Sequence, residues 1–153
     1  MAPSITLLTL AGLALAVYAL VVEANAANPD FKALCDLTIP VLDLDASCSK
    51  TLSSPEGHML SFFNVVSVDS PIYLNPPNAL LGVIYYLCVL LLPSRSPLVK
   101  FITTISLLTT IFLFSVLYKK KEVCLLCLSN HVVNLSLFYR IMIASPSRKT
   151  KSS

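Results

Sequence analysis

Four apolar runs fill most of this chain, and their lengths constrain it more than any other feature. They are Ile5 to Val22, about Asn78 to Leu92, about Leu98 to Tyr118 and about Val123 to Ala144. A helix crosses a bilayer with roughly 20 apolar residues, within a range of about 17–25. The first, third and fourth runs fit, while the second is short and must borrow from its flanks or thin the bilayer. The 153 residues are 56% hydrophobic and 12% charged. Soluble domains carry about 25% charged residues, so a soluble core of this size has no way to hide the remaining apolar surface. The expectation is an all-α membrane protein of one domain, a four-transmembrane-helix bundle spanning about 5–22, 78–92, 98–118 and 123–144, with a loop over 23–77 and a tail over 145–153.

The first run has a rival reading as a cleaved signal peptide, because Ala24 to Ala26 ("ANA") resembles a small-x-small cleavage site. The start lacks a Lys or Arg and the apolar core is long for a signal, so an uncleaved span is expected. Charge then gives sidedness. If every run spans, the turn between the second and third runs and the C-terminal tail share one side with Arg95, Lys100, Arg140, Arg148, Lys149 and Lys151. The other side holds Lys32, Lys50, Lys119, Lys120 and Lys121 together with all eight acidic residues. Lys and Arg favour the cytosolic face, so both termini are expected in the cytosol and the 23–77 loop in the lumen. The basic excess follows the membrane sides and does not point to nucleic acid. Within the loop, His58 to Val66 ("HMLSFFNVV") is expected to form one short interfacial helix.

Five cysteines carry the chemistry: Cys35, Cys48, Cys88, Cys124 and Cys127. The topology puts Cys35 and Cys48 in the lumenal loop, Cys124 and Cys127 at the lumenal mouth of the last span, and Cys88 within the second, where it is expected to pack. Two pairs facing one oxidising compartment point to disulfide chemistry. Zinc is the alternative, but its sites usually show two close pairs, whereas Cys35 and Cys48 lie far apart in sequence. Neither His58 nor His131 completes a recognisable spacing, so no metal is expected. Cys124 falls at the start of a helix, after Lys119, Lys120 and Lys121, and both features favour a thiolate, the nucleophile of disulfide exchange. Cys127 lies about 4–5 Å deeper. Cys124 is thus placed to meet a lumenal cysteine, and Cys127 a lipid-soluble redox partner such as a quinone. Buried cysteines that merely pack remain the alternative. The "NLS" sequon at Asn134 to Ser136 lies mid-span and is expected to be inert, and the Thr-rich third run to serve helix packing.

The stretches "FKALCD" (Phe31 to Asp36), "SCSKTLSS" (Ser47 to Ser54), "NALLGVIYY" (Asn78 to Tyr86) and "CLLCLSNHVVNLSL" (Cys124 to Leu137) resemble the vitamin K epoxide reductases of animals. The resemblance covers nearly the whole chain and implies a monomeric enzyme of the endoplasmic-reticulum membrane, with four helices around a quinone pocket and no tightly bound cofactor. It implies that Cys35 and Cys48 take electrons from a thioredoxin-like lumenal protein. Cys48 would then attack the Cys124–Cys127 disulfide, and the released Cys127 would react with vitamin K quinone or epoxide. Asn78 matches an asparagine that hydrogen-bonds the quinone; from the residues alone it reads as a helix cap after two prolines. Three departures stand out. "TIPVLDLD" lengthens the loop between Cys35 and Cys48, Leu52 stands where a phenylalanine approaches the head group, and His131 replaces a tyrosine that donates a hydrogen bond to the substrate. Neutral imidazole can also donate. Two other functions stay open at this level: a quinone-linked enzyme whose output is disulfide formation, and a non-enzymatic adaptor with a Cys35–Cys48 disulfide and inert, free Cys124 and Cys127.

Overall fold

The structure is a computed structural model that describes residues 3–28, 30–39, 44–46, 48–52, 54, 57–62, 65–67, 70–71, 74–120 and 124–144. Four helices form the body: α1 (Pro3–Ala24), α4 (Asn78–Leu91), α5 (Pro97–Lys120) and α6 (Leu125–Phe138), the last prolonged by a π turn over Tyr139–Ile143. Two short helices lie in the loop, α2 (Cys48–Leu52) and α3 (Met59–Phe62). Pro3–Ala24, Pro97–Lys119 and Leu125–Ile143 are long and apolar enough to cross a membrane, and Asn78–Leu91 is shorter. Apolar side chains such as Leu7, Phe101 and Leu108 remain largely exposed on the outside, as lipid-facing positions would be. The protein is an all-α helical membrane bundle.

Prolines punctuate the bundle where their missing N–H does no harm. Pro97 opens α5, where the first N–H groups have no intrahelical acceptor, and Lys100 N–H reaches the Ser96 carbonyl at 3.1 Å. Pro93 follows the end of α4, whose last N–H, from Leu92, donates to Cys88 O. At the start of α4 the cap position is Pro77, in extended conformation, and Asn78 is the first helical residue. The cap position that the sequence suggested for Asn78 is thus taken by Pro77, and Asn78 stands one position inside the helix.

Packing between α1 and α4 depends on small residues. Ile5, Thr9, Gly12, Ala16, Ala19 and Val22 recur every three or four positions and are the buried face of α1. Thr9 spends its hydroxyl on Ile5 O, at 2.7 Å, so it adds no unpaired polar group to that face. A Cβ at Gly12 would overlap the ring of Tyr86, which is itself 1% exposed. In lipid, where hydrophobicity gives no drive to associate, such close approach is what holds helices together. α1 lies along both α4 and α6, and α5 leans mainly on α6. Two core clusters result. One joins Ala19, Val22, Ala33, Cys35, Cys48, Leu52, Ala79, Cys124 and Leu126; the other, at the opposite end, is built on Ile5, Ala16, Tyr86, Val89, Val99, Leu137 and Ile141.

The loop is more structured than one interfacial helix. The inserted stretch between the first two cysteines forms a small antiparallel pair, β1 (Leu37–Ile39) with β2 (Leu44–Ala46), in the register Leu37↔Ala46, Thr38↔Asp45 and Ile39↔Leu44. This hairpin closes the 13-residue separation and brings the Cα atoms of Cys35 and Cys48 to 5.8 Å. The helix expected over His58 to Val66 is found only as α3, and residues 63 and 64 lie outside the described residues. Among the described residues, polar contacts tie the loop to α1. The Leu34 N–H donates to the Tyr18 hydroxyl at 2.9 Å, and His58 lies between Asn75 O (3.1 Å from Nδ1) and Glu23 Oε1 (3.0 Å from Nε2).

Replacing Gly12 with valine should destabilise the bundle by about 1–3 kcal/mol, because the added atoms force a buried, hydrogen-bonded ring to move. A lowered thermal midpoint of the detergent-solubilised protein would show it; an unchanged midpoint would mean that α1 and α4 do not meet at this point.

Candidate functional site

A cavity of about 430 Å³ lies inside the bundle, within the range of small-molecule pockets. Its walls come from α4, α5 and α6, and Thr51, Leu52 and Gly57 of the loop border it as well. Leu52 is held over the cavity by a close return of the chain, since a Cβ at Gly57 would collide with the Leu52 carbonyl. Most of the lining is aliphatic or aromatic. Polar groups enter at scattered points: Thr51 from the loop, Asn78, Tyr85 and Tyr86 from α4, Ser106, Thr109 and Thr110 from α5, and Asn130, His131 and Asn134 from α6. Asn78, Leu52 and His131, three residues singled out from the sequence, therefore border one space, although they are separated by up to 79 positions in the chain.

Both cysteine pairs are disulfides, Cys35–Cys48 and Cys124–Cys127. The second bond differs from the adaptor alternative, which leaves those two thiols free. Cys124 is the N-cap of α6, in extended conformation, and its Sγ accepts a hydrogen bond from Cys127 N–H at 3.2 Å. The i, i+3 spacing thus spans the helix boundary, with Cα atoms 5.2 Å apart. The two sulfurs face different surroundings. Cys124 is fully buried in the cluster that also holds Cys35, Cys48 and Leu52, and α2 touches the start of α6 there. Cys127 lines the cavity. The lysines expected to bias Cys124 toward a thiolate are only partly described: Lys119 is exposed, and Lys121 and Glu122 lie outside the described residues.

The first pair is held by a long-range cap. Asp36 Oδ1 accepts from Cys48 N–H (2.7 Å) and Ser49 N–H (3.1 Å), and its Oδ2 accepts from the Ser49 hydroxyl (2.5 Å). These bonds satisfy the free N–H groups at the start of α2, as an N-cap side chain would. Burial pushes the Asp36 carboxyl up, but the bonds from Ser49, Cys48 and the backbone of Ala33 outweigh it and hold the group below its ordinary value of 3.8. Cys35, Asp36 and Cys48 also form the one cluster of possible metal ligands among the described residues, all within 4.8 Å. Both sulfurs are committed to a disulfide and the carboxylate to the cap, so the cluster reads as a capped disulfide.

His131 lies four residues beyond Cys127, on the same helix face. It is buried, and neither ring nitrogen has a partner in the protein. An unpaired polar group in an apolar interior is costly, and a cavity occupant is the available source of a partner. Sequence reading missed the network next to it. The Tyr86 hydroxyl lies 2.9 Å from Asn130 Oδ1 and 2.7 Å from Asn134 Oδ1, and Asn134 Nδ2 donates to Thr110 Oγ1 at 3.2 Å. In the sequence alone Asn134 stands out only as part of a mid-span sequon, and the third helix only as a Thr-rich packing surface. The available signal was spacing, because Cys127, Asn130, His131 and Asn134 fall at i, i+3, i+4 and i+7.

Stability of the cap should depend on pH in a definite direction. The folded-state pKa of Asp36 is lowered, so its contribution is complete above the ordinary carboxyl value and is lost as the pH falls through the folded value. Asp36→Ala should cost about 1 kcal/mol at neutral pH and should flatten the loss of stability that the parent shows below about pH 4. Thermal midpoints of both proteins across that range check this; parallel curves would remove Asp36 from the account.

Comparison with known proteins agrees with this geometry. A model of the vitamin K epoxide reductase family matches residues 3–142. "Vitamin K epoxide reductase complex subunit 1" of Rattus norvegicus is 33% identical over 155 residues, covering 94% of this chain and 90% of that protein. Its counterpart in Mus musculus is 32% identical with the same coverage.

Proposed function

This chain belongs to the vitamin K epoxide reductase family, and from that premise we propose that it passes electrons from lumenal dithiols, through two disulfides, to vitamin K quinone or its epoxide. Family membership makes it a membrane oxidoreductase of the vitamin K epoxide reductase type. The observation that carries the finer reading is the division of the second disulfide: of the four paired cysteines only Cys127 borders the cavity, while Cys124 lies among Cys35, Cys48 and Leu52.

The route follows from that division. A thioredoxin-like protein reduces the Cys35–Cys48 bond, supplying two electrons and two protons. Cys48, as thiolate, attacks Cys124; a Cys48–Cys124 bond forms, the Cys124–Cys127 bond breaks, and Cys127 leaves as a thiolate. Cys35 then attacks Cys48, reforming the first disulfide and freeing Cys124, so that the second pair becomes a dithiol. That dithiol reduces a quinone to its quinol, or an epoxide to quinone and water, and returns to the disulfide. Each turnover moves two electrons and two protons, and the cysteines carry them all without a tightly bound cofactor.

Asn78 and His131 hold the head group against Cys127. His131 in its neutral form donates one N–H to a substrate oxygen, in the role the family gives to a tyrosine. Leu52 closes the cavity on the loop side. Family membership supports an endoplasmic-reticulum location, and the Lys/Arg distribution supports both termini in the cytosol with the cysteine end in the lumen. A single copy contains the whole site.

Dithiol-driven reduction of vitamin K epoxide and quinone by membranes containing the protein tests this. Cys127→Ala should reduce activity to background, and His131→Phe should lower kcat/KM about three- to tenfold, the effect of one uncharged hydrogen bond. His131→Tyr should retain activity. Undiminished turnover in Cys127→Ala would contradict the route, and inactivity of the parent on both substrates would contradict the assignment of substrate.

A further inference from the structure

Four polar side chains run in a line along the cavity wall: Thr110 on α5, Asn134 on α6, Tyr86 on α4 and Asn130 on α6. Adjacent members are 3.2, 2.7 and 2.9 Å apart. Tyr86 is the junction, and its hydrogen count sets a condition. A phenol has one hydrogen to give and can accept others, yet two carboxamide oxygens face it. One of the two amides must present its nitrogen instead, a reversal that leaves its shape nearly unchanged.

Two arrangements satisfy the line. In the first, Asn130 Nδ2 donates to Tyr86, Tyr86 to Asn134 Oδ1, and Asn134 Nδ2 to Thr110; the outer atom of Asn130 is then an oxygen. In the second, Thr110 donates to Asn134 Oδ1, Asn134 Nδ2 to Tyr86, and Tyr86 to Asn130 Oδ1; the outer atom of Asn130 is then an N–H. Every internal bond is kept in both, and only the direction differs. Bonds in such a chain polarise one another, so its members turn together. Asn130 borders the cavity and lies three residues past Cys127, about one helical turn along the same face.

We infer that this line is a reversible hydrogen-bonding subsite, in which Asn130 offers a donor to a quinone oxygen and an acceptor to the hydroxyl of the quinol. The inference rests on the quinone reading above and adds to it a residue that binds both redox forms. A fixed acceptor would face the lone pairs of the quinone oxygen, and a fixed donor would leave the hydrogen of the quinol hydroxyl without an acceptor. Reversal removes that mismatch as the head group changes from acceptor to donor. No proton passes between protein residues; two carboxamides and two hydroxyls rotate.

The test measures binding of 2,3-dimethyl-1,4-naphthoquinone, whose ring has no open position for thiol addition, and of its quinol to the purified full chain carrying Cys127→Ser, under anaerobic conditions so that neither form is converted. Asn130→Ala should weaken both about three- to tenfold, and should lower the thermal midpoint of the unliganded protein slightly, because its bond to the Tyr86 hydroxyl is lost. Asn130→Ser, whose hydroxyl also donates and accepts, should recover most of the loss. Thr110→Val gives a second measurement at the far end of the line. It leaves an N–H unpaired in the first arrangement and a carbonyl in the second, and the orphaned N–H is the less tolerated. The ratio of quinol to quinone dissociation constants should therefore rise. Unchanged affinities in Asn130→Ala, loss for one redox form alone, or a ratio that stays or falls in Thr110→Val would overturn the inference while leaving the electron route intact. Failure of the otherwise unaltered chain to bind either form would overturn both.

Discussion

The disulfide between Cys124 and Cys127 joins the buried cluster around the first disulfide to the adjoining cavity. Cys124 is the last residue before α6 and sits under the loop, among the groups that surround the first disulfide. Cys127 is within the first turn and faces a cavity enclosed by apolar side chains. The three-residue spacing across a helix start makes this possible, because the cap residue is extended and can turn its sulfur back to the helix while staying outside it. The helix boundary therefore sets Cys124 against the first disulfide and Cys127 against the cavity, the arrangement on which the proposed route depends.

The remaining architecture holds that boundary in place. The small-residue face of α1 lets α4 approach until Gly12 meets the ring of Tyr86, and this fixes the tyrosine hydroxyl between Asn130 and Asn134 of α6. On the loop side, Asp36 caps α2 and so orients Cys48, while Tyr18 and Glu23 of α1 hold the chain before Cys35 and the segment around His58. In an apolar medium each buried polar group needs a partner from the protein or from a ligand. Most here have one. Both ring nitrogens of His131 are among the exceptions in the described residues, and their position beside the cavity bears on what occupies it.

Much of this was legible in the sequence. Run length and composition gave the helical membrane bundle, and the order of the cysteines with the surrounding motifs gave the family. Cys127 was placed deeper than Cys124 from helical rise alone. What escaped had physical reasons. The Tyr86–Asn134 and Tyr86–Asn130 bonds join residues 48 and 44 positions apart, and helices that are apolar all round carry little periodic signal to fix their mutual rotation. Asn78 looked like a cap because prolines precede it, but Pro77 takes that place. The hairpin was hidden because a stretch of eight residues with Pro40 and alternating Leu and Asp reads only as a longer loop until its ends are known to meet.

Transfer between the two disulfides is the central claim, and a trapped intermediate tests it most directly. With Cys35 and Cys127 both replaced by serine, Cys48 and Cys124 are left without their resolving partners. Mass spectrometry of peptides from the protein in oxidised membranes should then find Cys48 joined to Cys124. If the two remain as separate thiols, or join only other chains, the first pair does not reach the second and the route proposed here is wrong.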